Sequence, residues 1–289
     1  MVDAVARIPR WVPVLLLLSA VAGSAWAQTL DPAGPRWSLD LRYVRALEAD
    51  GVVDVREFET GGTRLKLRDD LGLSRWDTLG LELVRRFQEG GRLRFGSFST
   101  FVSGSARLDH ETYFNGAHYP SGEPVSIGST SHNRIWAFYE QPLRSAAEPQ
   151  AWFLLAGVVV DFLDFHIQGN LAPDTARREK RENFGRQVLP YPVLGLVQEG
   201  RWTDSLYSYG ELYGTYLNGV DTPYTEGGRI RWDQTTLEGA VGVRAAPLPL
   251  QPSLGYRYRR FYERTRSEED DNVFSFHSSS LELGLRASF

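Results

Sequence analysis

The chain contains no cysteine. That excludes a disulfide framework, a thiolate metal site and a thiol nucleophile together. Lysine is nearly as scarce: Lys66 and Lys180 stand against thirty arginines, with no long basic block interleaved with aromatics. Such a distribution predicts no nucleic-acid partner. His110, His118 and His132 share no metal-ligand spacing, so neither a metal nor a cofactor is expected. Past residue 27 long apolar runs are missing too. The longest, "AWFLLAGVVV" at 151–160, is about half of what a membrane-crossing helix needs. That does not exclude a membrane barrel, whose strands alternate so that hydropathy averages out.

What is present begins with an export signal. Arg7 and Arg10 precede the apolar run "WVPVLLLLSAVA", and "GSAWA" then leads to Gln28. A charged start, a short apolar stretch and the Ala25-Trp26-Ala27 box predict removal of residues 1–27, with cleavage near Ala27. The box lacks cysteine, so no lipid is attached there. Residues 28–289 are then read as a single domain.

Alternation dominates the remainder. In "SSSLELGLRASF", Leu281, Leu283, Leu285, Ala287 and Phe289 form one row, with Ser280, Glu282, Gly284, Arg286 and Ser288 on the other. Side chains of a strand point to opposite faces with period two, so one face is apolar and the other polar. "WSLDLRYVR", "TLGLELVRRF", "LEGAVGVRA" and "LGYRYRRFY" repeat the pattern. Ten segments qualify as strands: 36–48, 78–88, 91–104, 131–143, 150–167, 191–202, 205–218, 234–246, 251–266 and 277–289. The connections alternate long (49–77, 105–130, 168–190, 219–233, 267–276) and short (89–90, 144–149, 203–204, 247–250). The fold class predicted is all-β: a closed antiparallel transmembrane β-barrel of about ten strands, within roughly 8–12. Short turns face the periplasm in such barrels and long loops the exterior. Trp37, Phe87, Trp152, Trp202, Tyr207 and Phe289 sit beside the short turns, as a girdle at the lipid–water boundary would.

At this point the chain resembles bacterial outer-membrane β-barrel proteins, small single-chain members in particular. The closing "LELGLRASF" resembles the signal read by the barrel-assembly machinery, although Ala287 stands where an aromatic is often found. "RLKLRDDLGL" (64–73) and "FNGAHYPSGEPV" (114–125) resemble stretches of a widespread, largely uncharacterised barrel family. The resemblance implies the bacterial outer membrane as location, with outer-membrane lipid and that machinery as partners.

Charged residues on the polar rows are expected inside: Glu82, Arg86, Arg94, Arg244, Arg257, Arg259, Glu282 and Arg286. Paired with one another they would fill a narrow barrel; unpaired they would line an anion-preferring passage. Barrels near eight strands are filled and wide channels need about sixteen, so ten strands predict at most a narrow solute pore. Two weak catalytic candidates remain. Asp164 and His166, at the outer end of the fifth segment, resemble half of an omptin protease site. His277 and Ser279, on the lipid-facing row, resemble the His-x-Ser pair of outer-membrane lipid A deacylases, but the nearest carboxylate, Glu282, is on the opposite row. The charged stretch 174–186 suits contact with lipopolysaccharide phosphates, and the acidic "SEEDD" (267–271) suits divalent cations. The function expected is a structural or binding role through the long outer loops, without catalysis; the alternatives are an outer-membrane hydrolase and a narrow pore.

Overall fold

The computed structural model describes residues 36–57, 61–88, 90–128, 130–143, 150–173, 184–203, 205–222, 230–245 and 249–289. Side chains are described for these except at 57, 150 and 184–189. The export signal and most of the charged stretch 174–186 lie outside the described residues.

Fourteen strands follow one another: β1 (Trp37–Glu57), β2 (Leu65–Lys66), β3 (Leu73–Arg86), β4 (Arg92–Arg107), β5 (Thr112–Phe114), β6 (Ala117–Tyr119), β7 (Pro124–Ile127), β8 (Ser131–Pro142), β9 (Gln150–Gln168), β10 (Phe184–Thr203), β11 (Leu206–Asp221), β12 (Arg231–Ala245), β13 (Leu250–Arg266) and β14 (Asp270–Ser288). Ten of them form a ring. β1 pairs with β3, β3 with β4, β4 with β8 and β8 with β9, and β9 to β14 then pair in chain order. β14 returns to β1 in antiparallel register from Ser38↔Ser288 to Glu57↔Asp270. The seam is bonded to its last residue: Trp37 N–H donates to the Phe289 carbonyl at 3.0 Å, and Phe289 N–H to that of Trp37 at 2.9 Å. A closed ring leaves no edge with unpaired backbone groups.

The strands change character along their length. On β14 the outward row is Leu281, Leu283 and Leu285, 40–48% exposed, while Glu282 and Arg286 are buried inside. Further from the C-terminus the rows exchange chemistry: Phe274 and Phe276 are buried inside, and His277 is exposed outside. β13 does the same, with Leu254 and Tyr256 outside and Arg257 and Arg259 inside, then Arg260 outside and Phe261 inside. The short-turn half is thus apolar outside and charged within; the long-loop half is polar outside and apolar within. Nine residues of tilted strand, Leu281 to Phe289, rise about 23 Å, close to the ~25 Å apolar band of a membrane barrel.

Several ring strands run past the sequence-based bounds at the long-loop end, whereas β8, β9 and β13 end within one residue of them. β1 continues to Glu57 instead of 48, β10 starts at Phe184 instead of 191, and β14 starts at Asp270 instead of 277. In β1 the cause is visible. A bulge between Ala46 and Glu48 puts Leu47 and Glu48 both outward, which interrupts the alternation of β1. Beyond it Val53 and Val55 are buried again, while Asp54 takes the Arg56 guanidinium at 2.8 Å through two nitrogens.

The fifth connection, expected to be long at 267–276, is instead the tight turn 267–269. Ser267 N–H donates to the Asp270 carbonyl at 2.9 Å, and Ser267 Oγ accepts the amides of Glu269 and Asp270. Arg264 grips Asp271 through Nε and Nη2 at 2.8 and 2.7 Å, so part of the supposed cation-binding run is already held by a guanidinium.

The first two long loops fold into the mouth. β2 pairs with β1 at Val52↔Lys66 and Val53↔Leu65, where pairing with β3 has ended. β7 takes the place of β8 between β4 and β9. β5 and β6 meet in a two-residue turn, Asn115-Gly116, with φ of 48° and 75°, as a type I′ hairpin demands. Leu65, Leu71, Phe114 and Tyr119 are fully buried against inward Phe261, Phe274 and Phe276. Burying each such side chain contributes about 1.5–3 kcal/mol.

Candidate functional site

Below this apolar cap the lumen is filled by charge. Cross-strand register places the partners. Asp40 stands opposite Arg286 on the β1–β14 seam and accepts its Nε and Nη2 at 2.6 and 2.5 Å. Glu238 stands opposite Arg259 and also receives Arg134 at 2.8 Å and Arg257 at 2.6 Å. Glu82 takes Arg94 and Arg42 at 2.7 and 2.8 Å, and Arg94 reaches on to Glu140 and Glu211. Asp161 collects Arg134, the Nε2 of His132 and the Tyr191 hydroxyl. Carboxylate and guanidinium thus alternate across the barrel. Buried charges are tolerable when paired and hydrogen-bonded in this way. Two cavities of about 30 Å³ remain among these groups, each near the size of a water.

Inside, as expected from the polar rows, are Glu82, Arg94, Arg257, Arg259, Glu282 and Arg286, all buried. Arg244 lies on the inward row of β12, and Arg86 at the short-turn mouth, exposed. Arg134, Glu140, Asp161, Tyr191 and Glu211 are members that sequence reading missed. For Asp161 the reason is packing: its inward neighbours on β9 are Phe153, Leu155 and Val159, part of an apolar wall shared with Tyr191, Tyr213 and Trp232. A strand apolar on both faces shows no period of two. Gly96 gives room for this layer, since a Cβ there would lie 2.1 Å from the Trp136 ring, whose Nε1–H reaches Glu82 at 3.3 Å. Of the girdle aromatics, Phe87, Trp152, Trp202 and Phe289 are exposed outside, and Trp37 shares the outward row. Tyr207 is the exception: it lies on the inward row of β11 with Tyr209 and Glu211.

Asp164 and His166 fall on the outward row of β9, away from the lumen, with Asp164 exposed. They do not overlook the barrel mouth. His277 and Ser279 are on the outward row as expected. The bulge in β1 adds what the sequence did not show. It sets Asp50 opposite His277 and Glu48 opposite Ser279 on that same outer face. Glu282 is inside, bonded to Arg257 at 2.6 Å. No hydrogen bond among the described residues joins His277 to Ser279 or to Asp50, and Asp50 Oδ1 accepts the Gly51 amide at 2.7 Å. His132 is structural, buried against Phe98, Phe261 and Phe276. Among the described residues no group of three or more His, Asp or Glu is placed to hold a metal.

No family model and no curated protein matches the chain. Solved structures that it resembles include the translocator domain of the autotransporter NalP from Neisseria meningitidis, at 13% identity and a TM-score of 0.41, over 96% of this chain and 98% of that one. Neisserial surface protein A is similar at 12% identity and 0.31, over 88% and 97%. The P. putida toluene transporter TodX is similar at 9% and 0.33, over 93% and 92%. These neighbours are bacterial outer-membrane β-barrels. The likenesses are loose, and the barrel stands on its own strand pairing.

Proposed function

We propose that this protein is a non-conducting barrel of the bacterial outer membrane, whose lumen is a structural core and whose projecting long-loop end is a binding surface. The observation that carries this reading is the exchange of inner and outer chemistry along the strands. A belt apolar outside and charged inside suits lipid, because a ring with no free edge satisfies every backbone group there. A wall polar outside and apolar inside suits water. The ring therefore rises from the bilayer by roughly 25 Å, the rise of eleven tilted residues, Asp270 to Ser280. Above the membrane it resembles a water-soluble domain, closed by the loops at 61–72 and 108–128. Outer-membrane lipid, the assembly machinery engaging the strand that ends at Phe289, and lipopolysaccharide phosphates are the partners this reading names. The deciding experiment is conductance of the purified protein in planar bilayers. At most small, unstable steps are expected; a large, steady, ion-selective conductance overturns the filled lumen and makes the pore the leading function.

A second reading has one observation in its favour. The carboxylates that the bulge brings opposite His277 and Ser279 stand just above the apolar belt, at the level of lipid head groups. Asp50 would orient His277, and His277 would take the Ser279 proton as Ser279 Oγ attacks a lipid ester. The lipid hydroxyl would leave with that proton, and water would then hydrolyse the acyl-serine to free the fatty acid. Acyl release from lipid A by the wild-type protein, but not by Ser279→Ala, would establish it. Unchanged lipid in both removes it.

A further inference from the structure

The lumen is closed from the long-loop end but not symmetrically so from the other. At the short-turn end four arginines, Arg86, Arg92, Arg244 and Arg286, converge from β3, β4, β12 and β14. Two are paired: Arg286 with Asp40, and Arg92 with Glu140 at 2.6 Å and Glu199 at 2.8 Å. The other two are not. Neither Arg86 nor Arg244 forms an ion pair or a side-chain hydrogen bond among the described residues. Both stand within electrostatic reach of the same groups, Asp40, Glu199 and Arg286, so they address one space. Arg244 lines the lower of the two cavities, lies 5.4 Å from the Tyr209 ring centre, and has a buried Nε with no hydrogen-bond partner. A buried donor left unmade costs about 1–3 kcal/mol, and a charged one more. Arg86, by contrast, is exposed at the mouth.

We propose that this vestibule binds one small oxyanion, a carboxylate or a phosphate, between Arg86 and Arg244. The carboxylates described there, Asp40 and Glu199, are taken by Arg286 and Arg92, so among the described residues the remaining guanidinia have no acceptor. A guanidinium is a planar fork matched to two oxygens of such an anion. Arg244 would meet it from the cavity wall and complete its Nε hydrogen bond; Arg86 would close over it from the solvent side. Entry is from the short-turn end alone, since the ion-pair layers and the apolar cap lie beyond. The site is thus a dead end, not a passage.

The test is calorimetric titration of the folded, purified full-length mature barrel with sodium phosphate and, separately, with sodium acetate. Saturable binding of about one anion per barrel is expected. Tighter phosphate identifies a phosphate ligand, and tighter acetate a carboxylate. Arg244→Gln should weaken binding about tenfold or more, as loss of a charge-assisted pair does. Arg86→Gln, at an exposed position, should weaken it as well and keeps the test decisive if Arg244→Gln fails to fold. Arg260→Gln, on the outer surface, should leave affinity unchanged. Absence of saturable binding by the folded wild-type barrel, or equal affinity in wild type and Arg86→Gln, overturns the site.

Discussion

Glu238 accepts from three guanidinia of the lumen, those of Arg134, Arg257 and Arg259. Its removal would leave Arg259 buried without a carboxylate and take one of the partners of Arg134 and Arg257, which keep Asp161 and Glu282. Glu238→Ala is therefore expected to destabilise the barrel by about 3–5 kcal/mol, the usual cost of breaking a buried pair. Asp271→Ala, which releases Arg264 at the solvent-exposed turn, should cost about 1 kcal/mol or less. Unfolding midpoints in urea, read by the shift of the folded band on unheated gels, measure both. Equal midpoints would mean that the lumenal pairs are hydrated and expendable. A second contrast uses one row of one strand. Leu283→Arg places a charge in the belt, where it costs roughly 2–4 kcal/mol near the midplane. His277→Arg lies on the same outward row above the belt and should be nearly silent. Similar membrane yields of the two variants would put the bilayer at the wrong height.

Within an element, the bulge of β1 is the informative feature. It holds one extra residue, Leu47, between two stretches whose inward rows are otherwise continuous. Deleting Leu47 should straighten the strand while leaving Val53 and Val55 inside. Inserting one alanine beside it makes two extra residues, which keeps them inside but slides the rest of the strand two residues along β14, so that Asp50 no longer faces His277. Folded yield should thus fall far more on insertion than on deletion, and the reverse result would mean that the bulge itself is needed. The same feature shows what was legible in the chain. All ten ring strands could be placed, because in the belt most of them separate an apolar row from a polar one. The outer extensions of β1 and β14 could not, because there the apolar row changes sides, and in β1 a bulge falls near that change. β9 was ambiguous for the opposite reason, being apolar on both faces. The ion-pair partners were half visible: Glu282 and Arg257 lie on clean polar rows, whereas Asp161 and Arg134 come from strands whose rows are mixed. Nothing local in the sequence announces that Asp50 will face His277, since that depends on a register spanning most of the chain.

At the scale of the whole molecule two independent plugs lie in series, an apolar one formed partly by loops and a charged one formed by strands alone. Replacing 108–128 by a short linker should remove much of the first and leave the second. Conductance is expected to stay small in that variant; a jump to a large, stable opening would show that the loops alone hold the lumen shut. The ring itself has a further property. Its first and last strands lie side by side, and the backbone of Trp37 is hydrogen-bonded to that of Phe289. Joining the two ends and cutting at another short turn, such as 203–206, would give a chain that traces the same closed circle with every strand neighbour preserved. The architecture thus has no preferred beginning. Under the proposed recognition of the strand that ends at Phe289, the difference between the two chains is delivery, since the permuted chain would carry that strand in its middle. Stability and targeting, which a linear map of the chain merges at its terminus, become separable once the chain is seen as a loop.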